Sequence, residues 1–194
     1  MDKNELLYDH YKETISLHLE ARKKRDTFFV MLCIGVTLLF CFLLDPAGAF
    51  NSIYEMIKEQ FSLTLPFKSA ILQSFVWVMV LYFFIRYFQA SVYIERLYND
   101  IEELENSISQ NYEIKFDRES KSYESNYPFL LNIIHKIYVL IFPIIAIIII
   151  TMKIIFEITS KINLLPIIFD VIVAIIIILL NISYLVFSHK KKAT

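Results

Sequence analysis

Residues 70–108 read AILQSFVWVMVLYFFIRYFQASVYIERLYNDIEELENSI. The first sixteen positions of this stretch carry no charge, and the second half is rich in acidic side chains. One apolar series runs through both halves. Val80, Phe83, Tyr87, Ala90, Ile94, Leu97, Ile101, Leu104 and Ile108 follow one another at alternating steps of three and four. A hydrocarbon core of roughly 30 Å takes about 20 residues of helix, so 69–89 is long enough to cross a bilayer. The part beyond it is a heptad seam, and such a seam needs a second helix to cover it.

Two partners can supply that cover. One is the N-terminal segment of the same chain, lying antiparallel; the other is the same helix of neighbouring subunits. The second option makes Ile94, Leu97, Ile101, Leu104 and Ile108 an oligomer or partner interface, and a homo-oligomer is the expectation. The acidic side chains Asp100, Glu102, Glu103 and Glu105 are expected on the outside of the seam. Residues 89–127 carry nine acidic and four basic side chains, a net of −5. Such a surface suits a basic patch on a protein partner and repels nucleic acid.

Three further stretches, 28–44, 137–152 and 164–187, are almost free of charge. The third of the four spans is short unless Lys136 and Lys153 at its ends reach toward the headgroups. The reading is an all-α membrane protein with four transmembrane helices. They occupy 27–45, 69–89, 128–158 and 164–188. Residues 1–26 form an amphipathic helix, 46–68 an outer loop with an interfacial helix, 90–127 the heptad helix and acidic loop, and 189–194 a basic tail. The chain has only two glycines, Gly35 and Gly48. That scarcity speaks against a β-barrel with its many turns and against helix crossings of the GxxxG kind. The first span reads as a retained signal-anchor, because about 26 mostly polar residues precede it.

Lys and Arg set the orientation. Fifteen of the 19 fall on the side of the N-terminus, the middle segment and the tail, and four fall on the other side. Both termini are therefore expected in the cytoplasm, with the protein in a bacterial inner membrane. Arg22, Lys23, Lys24 and Arg25 lie where headgroup phosphates would anchor them, so membrane lipids are the first expected partners. In the N-terminal segment Leu7, Tyr11, Thr14, His18 and Ala21 share one face. In the outer loop Phe50, Ile53, Tyr54, Ile57 and Phe61 share another, fit to lie in the interface. Tyr112, Ile114 and Phe116 alternate with polar residues, as in a short strand.

Polar groups within the spans are the candidate functional residues. A charge there is costly unless paired or wet. Asp170 is the main candidate, either as a buried switch or as an outer-interface carboxylate. Arg86 is expected to reach the inner headgroups. Gln73 with Ser74, and Asn181 with Ser183, are candidates for hydrogen bonds between helices. Cys33 and Cys41, two turns apart, read as small apolar residues.

No metal-ligand spacing, Walker loop, GxSxG or HExxH is present. Asp170 is the one acid expected deep in a span, so no paired carboxylate is expected. No cofactor and no enzymatic activity are expected.

The segment Leu7-Tyr8-Asp9-His10-Tyr11-Lys12-Glu13-Thr14, with Glu20-Ala21-Arg22-Lys23-Lys24-Arg25-Asp26 and the span that follows, resembles the N-terminus of small membrane proteins from bacterial defence islands. In size and four-span layout the chain is most similar to the membrane subunits of the Kiwa anti-phage system. The resemblance covers about 20 residues and carries no functional residue over. It implies an inner-membrane oligomer that works with a cytoplasmic, DNA-binding partner and responds to infection. The expected function is a scaffold or sensor that recruits such a partner. The competing expectation is a pore-forming or depolarising effector, with Asp170, Pro143 and Asn181 as its moving or wetted parts.

Overall fold

A computed structural model describes residues 3–62, 69–112, 140–159 and 164–190. Within them the chain is all-helical and without strands. Five helices follow in order: α1 (Lys3–Leu44), α2 (Pro46–Phe61), α3 (Ser69–Tyr112), α4 (Phe142–Thr159) and α5 (Leu164–Lys190). Four of them, α1, α3, α4 and α5, are long and apolar enough to cross a membrane. The protein is a multi-pass helical membrane protein on that ground.

The amphipathic N-terminal segment and the first span are one uninterrupted helix of 42 residues, and α3 runs for 44. Neither contains proline, and α1 has a single glycine, so nothing in their sequence forces a break. The break after α1 has a clear cause. Asp45 leaves the helical region at φ −144°, ψ 88°, and its carboxylate accepts the Gly48 backbone N–H at 2.9 Å. Pro46 then takes the first position of α2, where a missing N–H costs nothing. At Gly48 a Cβ would meet the Asp45 carboxylate in its present rotamer, so the glycine leaves room for this cap. At the far end Ser62 adopts the left-handed conformation and returns its N–H to the Lys58 carbonyl at 2.9 Å. Along α2, Phe50, Ile53, Tyr54 and Ile57 of the face expected within 46–68 are partly buried while Met56 is exposed, and the side chain of Phe61 lies outside the described ones.

The described residues fall into two compact units. One draws on residues 3–28 and 86–112, the other on 29–62, 69–85, 140–159 and 164–190.

In the first unit the face Leu7, Tyr11, Thr14, His18 and Ala21 of α1 meets the heptad seam of α3. Tyr11 packs with Ile101 and Ile108, and Leu7, Ile15 and Leu104 close around them. Ala21 packs with Ile94 and Leu97, and Tyr98 joins from the side. Rising numbers on α1 meet falling numbers on α3, so the pair is antiparallel. Ile94, Leu97, Ile101 and Ile108 are at most 5% exposed. Of the two covers expected for Ile94, Leu97, Ile101, Leu104 and Ile108, the one within the chain is present. The chain's own N-terminal helix occupies the seam.

In the second unit Leu32, Val36, Leu39 and Phe42 of α1, Val76, Trp77, Val80 and Phe84 of α3, Ala146 and Ile150 of α4, and Val173, Ala174 and Ile177 of α5 form the buried faces. α4 packs against α5. At Gly35 a Cβ would lie 2.8 Å from Val80 Cγ2, so the absence of a side chain lets α1 and α3 approach. The outward faces are apolar too: Val30, Ile34, Phe75, Ile148, Ile155, Ile172, Leu179 and Val186 are all exposed. A surface this apolar fits acyl chains and does not suit water.

The expected strand at 112–116 falls outside the described residues except for Tyr112, which ends α3. Lys136, the acidic loop beyond 112, the start of the third span before 140 and the basic tail after Lys190 lie outside them as well.

Candidate functional site: a buried ionic cluster

The inward stripe of α4 is Pro143, Ala146, Ile150, Lys153 and Glu157, at steps of three, four, three and four. Two charged side chains therefore sit on the face that apolar residues define. Lys153 is 1% exposed and Glu157 1%. Their Nζ and Oε1 atoms lie 3.0 Å apart across one helical turn. This overturns the expectation that Lys153 stretches toward the headgroups. Its position in the stripe, seven residues after Ala146, turns it inward.

α3 supplies the donors. Gln73 Nε2 donates to Glu157 Oε1. Trp77 Nε1, one turn further along the same face, donates to that oxygen at 3.4 Å. Gln73 therefore makes the interhelical hydrogen bond expected of it, with a partner the sequence did not suggest. An ammonium, a carboxamide and an indole N–H converge on one carboxylate. Each of these groups is costly in an apolar surrounding on its own, and together they offset one another's desolvation.

α5 adds a second acid. Asp170 is 2% exposed and is enclosed by protein. It lies within electrostatic reach of Lys153 and Glu157, and the Ser74 hydroxyl adjoins it. Its Oδ1 receives no hydrogen bond, and neither does the buried Ser74 Oγ. The expectation of a lone carboxylate at Asp170 fails, since Glu157 is a second buried acid in the same neighbourhood. The missed signal was the i,i+4 pair Lys153–Glu157 on the stripe set by Pro143 and Ala146.

The other candidates do not join this cluster. Asn181 is fully buried, but its Nδ2 donates to the Ile177 carbonyl of its own helix at 2.8 Å. Its buried Oδ1 has no hydrogen-bond partner among the described residues. Ser183 faces outward. Arg86 is exposed, with its guanidinium 5.2 Å from the Phe28 ring and 3.3 Å from Gln89 Oε1. Cys33 and Cys41 are free thiols.

In the first unit the polar atoms sit at the edge of the seam. Tyr11 Oη donates to Glu105 Oε1 at 3.1 Å, and Glu105 is 1% exposed. Glu105 is thus removed from the expected acidic surface: it shares the seam face, four residues after Ile101. Asp100 and Glu103 are exposed and Glu102 is half-buried. His18 is buried with its ring edge-on to Tyr98 at 4.5 Å, and its Nε2 has no hydrogen-bond partner. Burial, with Arg22 and Arg25 nearby, holds its pKa below the ordinary histidine value. Of the basic cluster, Lys24 pairs with Glu20 at 2.6 Å and Arg25 with Asp26 at 2.7 Å, while Lys23 is exposed.

No group of three or more His, Cys, Asp or Glu side chains that could hold a metal ion occurs among the described residues. No protein-family model, curated protein or solved structure matches the chain.

Proposed function

We propose that this chain is a non-enzymatic scaffold or sensor of the bacterial inner membrane that recruits a cytoplasmic protein partner in antiviral defence. The observation that supports it best is the closed seam of the first unit. The apolar face of α3 is satisfied within the chain, and Asp100 and Glu103 are left on the exposed side. A helix pair whose seam is already covered, yet which presents carboxylates, favours docking by charge. The partner is then a protein with a basic surface. The resemblance to the Kiwa membrane subunits points toward a DNA-binding one, with no direct nucleic-acid contact by this chain. Both termini face the cytoplasm in this reading. A homo-oligomer remains part of it and uses a surface other than the seam.

The test is a triple charge reversal, Asp100→Lys, Glu102→Lys and Glu103→Lys, in the full chain in its native host. Quantitative capture should show loss of one basic cytoplasmic protein by tenfold or more, with membrane level unchanged. Capture that is indifferent to the reversal sinks the reading, as do reporter fusions that place Asn106 outside the cell.

The buried ionic cluster favours a second reading, a depolarising effector. Expression would then collapse the membrane potential, and Asp170→Asn would remove the effect. An unchanged potential on strong expression rejects it.

A further inference from the structure

The charges of the cluster do not balance. With all three groups ionised, Lys153 contributes one positive charge and Glu157 and Asp170 one negative charge each, leaving one in excess. Lys153 and Glu157 form the close ion pair, and Glu157 also collects Gln73 and Trp77. The excess therefore rests on Asp170. Among the described residues no ammonium or guanidinium lies at ion-pair distance from it, and its Oδ1 has no donor. α1 offers no compensation, since residues 27–44 contain no charged side chain. An uncompensated carboxylate enclosed by protein within a membrane span is among the costliest arrangements a helix bundle can hold.

We propose that Ser74, Lys153, Glu157 and Asp170 form a proton-binding site, with Asp170 as the carrier. One proton added to its carboxylate gives a neutral carboxyl and brings the cluster to zero net charge. It also lets Oδ1, which receives no hydrogen bond, carry a proton that can be donated, beside a Ser74 oxygen that lacks a partner. A metal ion is the poorer occupant: the described residues offer no three-ligand group, and the Lys153 ammonium repels a cation. Loss of the proton would leave a bare charge between α3, α4 and α5, which only water or helix movement could relieve. The site thus ties proton occupancy to the packing of these three helices. It stands on the cluster alone and holds whether or not the first unit recruits a partner.

Infrared difference spectroscopy on the full chain in lipid nanodiscs tests this directly. Exposed carboxylates are ionised above about pH 6, so a protonated-carboxyl stretch at neutral pH reports an enclosed group. The expected result is one such band at neutral pH. It shifts in protein grown with carbon-13 aspartate and stays in place with carbon-13 glutamate. Ser74→Ala should move it, and Asp170→Asn should abolish it. The labels decide the question in the unmutated chain, so a variant that fails to fold does not weaken the test. No band at neutral pH, a band that follows the glutamate label, or a band displaced by sodium ions at constant pH would each overturn the proposal.

Discussion

The two units bury polar groups in opposite ways. In the first, Tyr11, Thr14, His18 and Glu105 lie at the border of an apolar seam, and each is a polar group accompanying a hydrophobic contact. Thr14 spends its hydroxyl on the His10 carbonyl at 2.9 Å, and Tyr11 gives its hydroxyl to Glu105. In the second, Lys153, Glu157 and Asp170 are the centre of the polar arrangement, and the apolar residues surround them. The first pattern is what a helix pair uses to fix register. The second is hard to justify by stability alone, because buried ion pairs often do no better than hydrophobic replacements. The first arrangement is explained by stability, and the second is not explained by stability alone.

Removing one member of a buried ion pair gives the largest effect and tests that contrast. Glu157→Leu removes the carboxylate 3.0 Å from the buried Lys153 and leaves Gln73 and Trp77 without their acceptor, at a cost of about 3–5 kcal/mol. The double change Lys153→Leu with Glu157→Leu should recover most of that loss. Thermal unfolding in detergent reads both. A double variant as unstable as the single one would make the ion pair structural and erase the contrast between the units.

Next in size is a cavity in the first unit. Ile101 is fully buried against Tyr11 and Ile108, and Ile101→Ala should cost about 2–5 kcal/mol. Hydrogen exchange should rise in residues 3–28 and 86–112 while residues 69–85 and 142–159 keep their protection. A uniform rise across the chain would mean that the two units do not unfold separately. Tyr11→Phe is milder. It removes one charge-assisted hydrogen bond to Glu105, worth about 1.5 kcal/mol, and leaves the ring packing intact. Its exchange effect should centre near Glu105 and be smaller than that of Ile101→Ala.

Much of this contrast could be read in the sequence, and the part that could not has a physical cause. The run from Val80 to Ile108 specified a continuous helix and its covered face, because apolar spacing and helix geometry share one period. The stripe Leu7, Tyr11, Thr14, His18 and Ala21 gave the complementary face. Which of two partners would cover the seam was not legible, since the same face serves a second segment or a second copy. The ionic cluster was hidden for another reason. A charged residue near the end of an apolar run reads as its boundary, and Lys153 and Glu157 have that position. Only their phase relative to Pro143, Ala146 and Ile150 marks them as inward. Asp170 was visible as an isolated charge, but its neighbours come from helices 80 to 100 positions and about 15 positions away, which no local pattern reports.

The smallest expected effect concerns His18 and again separates the units. Its imidazole is buried against Tyr98, and burial together with Arg22 and Arg25 disfavours the charged form. The folded first unit therefore binds this proton less readily than the unfolded chain, where histidine titrates near 6.5. The sign follows from linkage: the state that binds more protons gains as pH falls. Above that value His18 is neutral in both states and contributes no pH dependence. Below it the unfolded chain is protonated first, and the stability of the α1–α3 pair declines until the folded histidine is protonated too. Exchange at residues 3–28 and 86–112, taken relative to the intrinsic rate at each pH, should accordingly accelerate as pH falls below about 6.5. His18→Phe keeps an aromatic ring against Tyr98 and removes the titration, so the acceleration should vanish in that variant. A pH response of the same size in His18→Phe would assign the effect to other groups of the first unit, such as the carboxylates that line α3.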